Sequence, residues 1–373
     1  MTTQSKTSWA TTRLPYLGSL CATFCQKNRA PGAPYFEAFP FLIAVAAAFL
    51  TLSGIVLAVY YNPWHAFDSV QFIDRDVNNG WLIRAYHATG TTMIFAVTYL
   101  YLFRTILTRA YRAPSEFVWL LSVKLLAILL LTGWLGYVLT GGAAGYWSLF
   151  NASNAALSLG GLPGAVGLWF FGGPAGGGTL ARLEVFHALL AVSLLLVVWL
   201  IHASRKAIAL PVAPARAVAF YPYYLAQYFA ALAVFAFIFV ILAFYAPHIS
   251  STHMNQLPAT DLTVAIGAAV PWYLAPAAGL LGVFPTATLS ILAAIAAAAV
   301  LYALPWLDRS GANGAKGKVY GFFIWLLALD VIGLGWAAHS HCALASTLAG
   351  VFTTWYFFHF LVITPVVTAM EAE

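Results

Sequence analysis

Histidines inside apolar segments are the residues of this chain best suited to chemistry. The segment from residue 84 to residue 104 carries His87, and the segment from residue 182 to residue 206 carries His187 and His202. Ionisable side chains at membrane depth are costly, so they usually mark a working site with a partner. Arginines lie along both segments: Arg84, Arg104 and Arg182.

The spacing of these histidines suits haem. An α-helix rises about 22 Å over the 15 residues from His187 to His202 and returns to nearly the same face. Two ligands so placed could hold two haems stacked across a bilayer, with a second helix supplying the opposite axial ligands. His87 matches His187 in depth. Tyr101, which follows His87 by 14 residues, stands where the partner of His202 is expected.

Neighbouring positions divide the candidate ligands into two layers. The outer layer is Gly54, His87, Gly136 and His187, and the inner layer is Pro40, Tyr101, Ser122 and His202. Small residues are needed where a porphyrin edge lies against a helix, and only the outer layer has glycines. The sequence therefore predicts one haem b in the outer layer and leaves a second, inner haem open. The three arginines are predicted to hold haem propionates. The alternative is that these histidines are hydrogen-bonded core residues.

The composition indicates an integral membrane protein. The chain has 373 residues, of which 62% are hydrophobic and 8% charged, whereas a soluble domain carries about a quarter charged residues. Apolar runs of about 20 residues are long enough to span a bilayer as helices. The predicted fold is all-α with eight transmembrane helices, at about residues 38–61, 81–108, 116–140, 183–203, 222–247, 286–306, 319–338 and 346–368.

The charged residues predict the topology. Basic loops alternate with long loops nearly free of Lys and Arg, which places both termini on the cytoplasmic side of a bacterial inner membrane. The net charge of +6 is therefore a topology signal and does not indicate nucleic-acid binding. We predict a cytoplasmic segment at 1–37, a haem-binding four-helix bundle at 38–215 and a C-terminal four-helix half at 216–373.

Two further groups of metal-type side chains are weaker candidates. Cys21 and Cys25 form a C-x3-C pattern without a second pair nearby, which we interpret as ordinary reduced thiols. His339, His341 and Cys342 form a tight cluster that lacks distant ligands. The sequence leaves the role of both groups open.

Several strings resemble cytochrome b of the quinol:cytochrome c reductases and its plastid relatives. The most specific is RDVNNGWLIRAYHATG, and the others include RLPYLGSL, LSGIVLAVYYNP, FYPYYLAQYF, LPWLD and LDVIGLGW, in the order of the family. The resemblance implies two b haems in the first four helices, an outward pocket that oxidises quinol and an inward pocket that reduces quinone. It also implies that His87 and His187 ligate the outward haem and that His202 ligates the inward one.

The sequence departs from the family pattern at both quinone sites and at the inner haem. Tyr101 replaces a histidine, and the outward motif Pro-Glu-Trp-Tyr is reduced to Pro271, Trp272 and Tyr273, without its carboxylate. On the inward side, Gln227 and Tyr228 stand where many members have Lys and Asp. If quinol is oxidised, another group must take a proton. His253, Asp261 and Tyr273 are the candidates.

Two functional hypotheses follow, besides an unrelated transporter that the ordered motifs disfavour. The first is a cytochrome b-type subunit of a respiratory quinol-oxidising, bc-type complex with modified quinone sites. Its expected partners are a Rieske iron–sulfur protein, a c-type cytochrome, quinone or quinol, membrane lipid and a second cytochrome b in a homodimer or heterodimer. The second is a divergent paralogue with one haem or none that acts as a structural or assembly partner of a redox complex.

Overall fold

Eight membrane-length helices make up most of the part of the chain that the structure describes. The structure, a computed structural model, describes residues 28–29, 38–172, 176–208, 218–260, 270–310, 317–340 and 342–372. The spanning helices are Phe39–Ala58 (α1), Gly80–Leu107 (α3), Glu116–Leu139 (α4), Gly177–Ile208 (α7), Leu225–Tyr245 (α8), Ala287–Leu307 (α11), Lys318–His339 (α12), and Ala343–Phe358 (α13), which continues through a π-helical turn into Thr364–Met370 (α14). The predicted all-α fold with eight spans is confirmed.

Shorter elements gather at one end of the bundle, here called the loop end. They are Ala66–Arg75 (α2), Ala143–Ser158 (α5), Gly161–Phe171 (α6), Pro247–Ser250 (α9) and Ala275–Leu281 (α10), with 3-10 turns at Pro63–His65 and His253–Gln256. The opposite end, where α1 begins and α14 ends, is here called the terminal end. A two-residue antiparallel pair, Asn28–Arg29 (β1) with Val218–Ala219 (β2), precedes the π-helical turn Phe220–Tyr224 before α8.

Helix α7 is longer at both ends than the sequence predicts. The prediction began at residue 183, whereas the helix begins at Gly177, shortly after Gly172 ends α6 in a left-handed conformation with φ of 72°. The sequence prediction followed the run of apolar residues, and the charged residues near the start of the helix interrupt that run, so its first turn was missed. Arg205 and Lys206 lie in its last turn, where positive charge is favourable.

The front four helices pack as neighbouring pairs. Helix α1 lies mainly against α3, and α7 lies against α4 and α1. In the C-terminal half, α12 packs against α10 and α13. Gly279 permits the first of these contacts, because a Cβ at that position would lie 2.2 Å from the carbonyl oxygen of Leu334.

A buried arginine joins the two halves at the terminal end. Arg109 follows α3 in a left-handed conformation with φ of 52° and is buried. It donates a hydrogen bond of 2.6 Å to Glu371, beyond α14, and its guanidinium carbon lies 4.1 Å from the ring centre of Tyr320 on α12. Its Nε lies 3.9 Å from a carboxylate oxygen of Asp308, beyond α11. One cation therefore contacts three segments of the C-terminal half.

Asp308 carries the network further. It accepts a hydrogen bond of 2.7 Å from the hydroxyl of Tyr111 and bonds from both the amide and the hydroxyl of Ser310. Burial alone would raise the pKa of Asp308, but the hydrogen bonds from Ser310 and Tyr111 and the charge of Arg109 hold that pKa below its usual value. Its contribution to stability is thus present at neutral pH and is lost as the pH falls through the folded-state pKa.

We expect Arg109→Ala to lower the free energy of unfolding by about 3 kcal/mol, because it leaves two carboxylates without their cation at a buried site. Thermal unfolding of the purified protein in detergent measures the effect. Arg112→Ala is the matched control and should change stability by less than about 0.5 kcal/mol. Equal stability of the two variants would contradict a structural role for the network.

Candidate cofactor site

Two histidines face each other across a cavity near the loop end. The cavity has a volume of about 420 Å³ and lies between α1, α3, α4 and α7, with His87 and His187 in its wall. Their ring centres are 6.4 Å apart. A bond from histidine to a metal is about 2 Å long, so two rings on opposite sides of one metal ion have their centres about 6 Å apart. The observed separation fits a pair of axial ligands.

Neighbouring helices orient both rings. The Nδ1 atom of His187 lies 3.0 Å from the carbonyl oxygen of Thr132 on α4, and the Nδ1 atom of His87 lies 2.9 Å from the hydroxyl of Ser53 on α1. The Ser53 hydroxyl itself donates to the carbonyl of Phe49. Both Nδ1 atoms are therefore assigned as donors, which leaves each Nε2 with its lone pair for a metal.

The glycines of the outer layer make room for these rings. A Cβ on Gly54 would lie 3.2 Å from Cε1 of His87, and a Cβ on Gly136 would lie 2.9 Å from Cε1 of His187. No group of three or more metal-type side chains occurs in the described ranges. A pair of histidines alone would leave a bare ion under-coordinated, so the site fits a metal that brings a macrocycle of its own, as haem does.

The three candidate propionate partners lie in different places. Arg84 lines the cavity and forms a 2.5 Å ion pair with Asp74. Arg182 is exposed, and its guanidinium lies against Gly172. Arg104 is near the terminal end of α3, well away from the cavity wall. Only Arg84 is therefore brought to the outer layer.

In the inner layer, two of the candidate side chains contact each other. Tyr101 and Ser122 are both buried, and their hydroxyl groups lie 3.1 Å apart, so α3 and α4 contact each other directly at this depth. His202 is exposed, whereas its neighbour Ile201 is buried in the core. Pro40 lies in the first turn of α1. The assignment of His202 and Tyr101 to an inner haem stays a prediction.

The Pro-Trp-Tyr motif reaches the same cavity as the histidines. Pro271 and Tyr273 line it, whereas Trp272 is not part of its described wall. The indole Nε1 of Trp272 is buried and has no hydrogen-bond partner in the described part of the chain. The ring of Tyr273 stacks on Phe95 at 4.5 Å between centres. Burial raises the pKa of Tyr273, so its hydroxyl stays protonated.

Glu184 was not among the predicted site residues. It is the one carboxylate in the described wall of the cavity and lies one helical turn before His187. Burial and the charge of Glu184 together raise the pKa of Tyr61, whose hydroxyl donates to the carbonyl of Leu139 at 2.7 Å. The three-residue spacing from His187 was the available signal, but no motif singled it out.

The remaining candidates that the structure describes are not part of the cavity wall. His253 is absent from its described wall, and Asp261 lies outside the described residues. The two ring nitrogens of His339 lie 2.9 Å and 2.8 Å from the carbonyl oxygens of Gly335 and Val270. Cys342 is exposed, and the other members of the two weaker groups, Cys21, Cys25 and His341, lie outside the described residues.

Comparisons with known proteins decide the family. The profile described as "Cytochrome b/b6/petB" matches residues 27–205, and that described as "Cytochrome b(C-terminal)/b6/petD" matches residues 258–358. Cytochrome b of Rhodospirillum rubrum is 32% identical over 349 residues, which cover 90% of this chain and 86% of the relative. The chain belongs to the cytochrome b/b6 family. The predicted cytochrome b-type membrane subunit is therefore confirmed.

Other members of the family also match over most of this chain. Cytochrome b of Marchantia polymorpha is 31% identical, with 91% of this chain and 86% of the relative covered. Cytochrome b of Rickettsia bellii is 29% identical, with 97% and 94% covered. A chain of the solved "Hyperthermophilic respiratory Complex III" has the same fold, with a TM-score of 0.85 at 24% identity over 98% of this chain and 99% of that one. Membership in the cytochrome b/b6 family implies haem b binding and an integral, multi-pass membrane protein.

We expect Gly136→Ala to weaken haem retention by about tenfold or more, because the new methyl group would displace the ring of His187 from its ligand position. Haem per chain, measured by the pyridine haemochrome assay on purified protein, tests this. Gly321→Ala is the control, since a Cβ at that position has no atom within 4 Å. Equal haem content in both variants would contradict the assignment.

Proposed function

We propose that this chain is the cytochrome b subunit of a respiratory quinol-oxidising, bc-type complex and that it holds a single haem b, in the outer layer. The observation that best supports this proposal is the pair of histidines, which Ser53 and Thr132 orient and which line the same cavity as Pro271 and Tyr273. When bound, haem supplies one-electron oxidation and reduction.

The chain's own residues hold and enclose that group. His87 and His187 would hold the haem iron through their Nε2 atoms, and the two glycines keep the space beside the rings free. Arg84 offers positive charge at the cavity wall, which favours a propionate partner. Tyr273 keeps a protonated hydroxyl on the side of the Pro-Trp-Tyr motif, where a quinol headgroup would lie within the same cavity.

The closed inner layer supports a single haem. The Tyr101–Ser122 contact satisfies both hydroxyl groups inside the bundle, and His202 is exposed. An electron that arrives at the outer layer then has no second haem in this chain. It must leave to a partner, which favours a heterodimer with another cytochrome b over a homodimer.

The proposal extends to partners and placement. A Rieske iron–sulfur protein and a c-type cytochrome would accept electrons at the loop end, where the cavity lies. Basic residues at the terminal end, including Arg109, Arg112, Arg205 and Lys206, support a cytoplasmic location for that end in a bacterial inner membrane. The roles of Arg104 and Arg182 beside propionates, and the division at residues 215 and 216, stay predictions.

A purified sample should contain one haem b per chain. His187→Ala should abolish haem binding, because no other described side chain can replace its Nε2. His202→Ala should keep the full amount. The pyridine haemochrome assay and low-temperature spectra measure both. Two haems per chain would overturn the single-haem proposal, whereas none would favour the alternative of a structural or assembly partner.

We infer that Glu184 takes a proton from quinol in this cavity. A quinol that loses two electrons must also release two protons. One electron would pass to the outer layer and one to the iron–sulfur acceptor, and the carboxylate of Glu184 would receive one hydroxyl proton and release it to water at the loop end. The other proton would leave with the second electron. The position of Glu184 in the cavity wall supports this role.

Glu184→Gln should slow the reduction of bound haem by a short-chain quinol about a hundredfold, because a general base is lost. Stopped-flow absorbance in membranes that contain the whole complex measures the rate. Haem content should be unchanged, so this result separates proton transfer from haem binding. Glu116→Gln, at the start of α4 on the terminal end, should react at the wild-type rate. An unchanged rate in Glu184→Gln would exclude the role.

A further inference from the structure

The Pro-Trp-Tyr segment, residues 271–273, is bonded to both halves of the molecule. On one side, the hydroxyl of Tyr99 on α3 donates a hydrogen bond of 2.6 Å to the carbonyl oxygen of Tyr273. On the other side, Nε2 of His339 lies 2.8 Å from the carbonyl oxygen of Val270, the residue that directly precedes the segment. One side chain from each half therefore meets the segment at one of its ends.

His339 faces two carbonyl oxygens at once. It is exposed and is the last residue of α12. Its Nδ1 lies 2.9 Å from the carbonyl oxygen of Gly335, one turn earlier in the same helix. A neutral imidazole donates through one nitrogen only, whereas the doubly protonated ring donates through both. Both contacts are hydrogen bonds when the ring carries two protons, and they then link the end of α12 to Val270.

The end of α12 is a firm support for this link. Helix α10 begins two residues after the segment and packs closely on α12, since a Cβ on Gly279 would lie 2.2 Å from the carbonyl oxygen of Leu334. Near the start of α10, a Cβ on Gly335 would lie 3.6 Å from the ring of Pro276. His339 thus reaches Val270 from a helix end that lies against the start of α10.

The link bears on the histidine cavity because the segment forms part of its wall. Pro271 and Tyr273 both line that cavity. The amide of Leu274 donates a hydrogen bond of 2.9 Å to the carbonyl oxygen of Pro271, which closes the segment into a turn. Because the turn is bonded within itself, a displacement of Val270 would be passed on to Pro271 and Tyr273.

We propose that His339 is a positioning residue, whose Nε2 bond to Val270 fixes the Pro-Trp-Tyr segment in the cavity wall and so determines where a quinol ring can lie against Tyr273. The part that concerns quinol rests on the proposed function, whereas the bond to Val270 does not. His339 acts through Val270 and is itself not part of the cavity wall. Both of its ring nitrogens are directed at carbonyl oxygens, which leaves neither directed at a metal.

Hydrogen–deuterium exchange of the purified chain, with mass spectrometry of peptides that contain residues 271–275, tests the bond. His339→Phe keeps a flat ring but removes both donors, so exchange in these peptides should become about fivefold faster, the effect of one neutral hydrogen bond. The amide nitrogen of a glutamine reaches the position of Nε2, so His339→Gln should exchange at the wild-type rate. The amide nitrogen of an asparagine reaches only the position of Nδ1, so His339→Asn should exchange as fast as His339→Phe.

The effect on quinol is measured separately, by stopped-flow reduction of haem in membranes that contain the whole complex. His339→Phe and His339→Asn should raise the concentration of short-chain quinol that gives half the maximal rate about fivefold. The maximal rate should stay unchanged, because Glu184 and the two axial histidines remain in place. His339→Gln should restore the wild-type value. Ser340→Ala is the matched control and should equal the wild type in both measurements, since the Ser340 hydroxyl donates to Trp336 within its own helix.

Other outcomes overturn the proposal. Unchanged exchange in His339→Phe would mean that the bond does not hold the segment, and wild-type exchange in His339→Asn would assign the effect to the bond within α12. Faster exchange without a change in the half-saturating quinol concentration would mean that the segment does not position quinol. Absence of haem reduction by quinol in the wild type would contradict the proposed function, while the exchange rates would still decide the bond to Val270. Haem content verifies the folding of each variant.

Discussion

The requirement that imidazoles within a hydrocarbon layer find partners organises the front half of the molecule. Each ring of the outer layer offers Nδ1 to an oxygen on a neighbouring helix, Ser53 for His87 and Thr132 for His187. Helices α1 and α4 therefore do more than provide space for a flat ligand. They determine which nitrogen faces it, because backbone and hydroxyl groups within a membrane must be satisfied by other helices. The glycines beside each ring then allow those helices to approach closely.

The two layers meet the same requirement in opposite ways. In the outer layer, both imidazoles line a cavity between four helices. In the inner layer, the hydroxyl groups of Tyr101 and Ser122 bond to each other. Tyrosine and serine at this depth thus satisfy each other and join α3 to α4.

The fold and the outer layer could be predicted from the sequence because both depend on local patterns. Apolar runs determine the spans, and an α-helix rises by a fixed distance per residue. Counting residues along each span therefore assigned Gly54, His87, Gly136 and His187 to one depth. Other features depend on side-chain direction or on distant segments. Counting 15 residues places His202 near the face of His187, but it could not show that Ile201 takes the buried position. The pairing of Arg109 with Glu371 joins residues 262 positions apart, for which no periodicity exists. By sequence, Glu184 is a charged residue near a helix end, and only its place in the cavity wall distinguishes it from other such residues.

The network around Arg109 also bears on how the chain could be divided. The front and back halves contact each other through α4 and α11, through Tyr99 and Tyr273, and through the ion pairs at the terminal end. None of these contacts involves the segment between α7 and α8. Two separate polypeptides, cut in that segment, would still present complementary charged and apolar surfaces to each other in the membrane. The architecture is therefore compatible with one gene or with two, and with the independent exchange of either half.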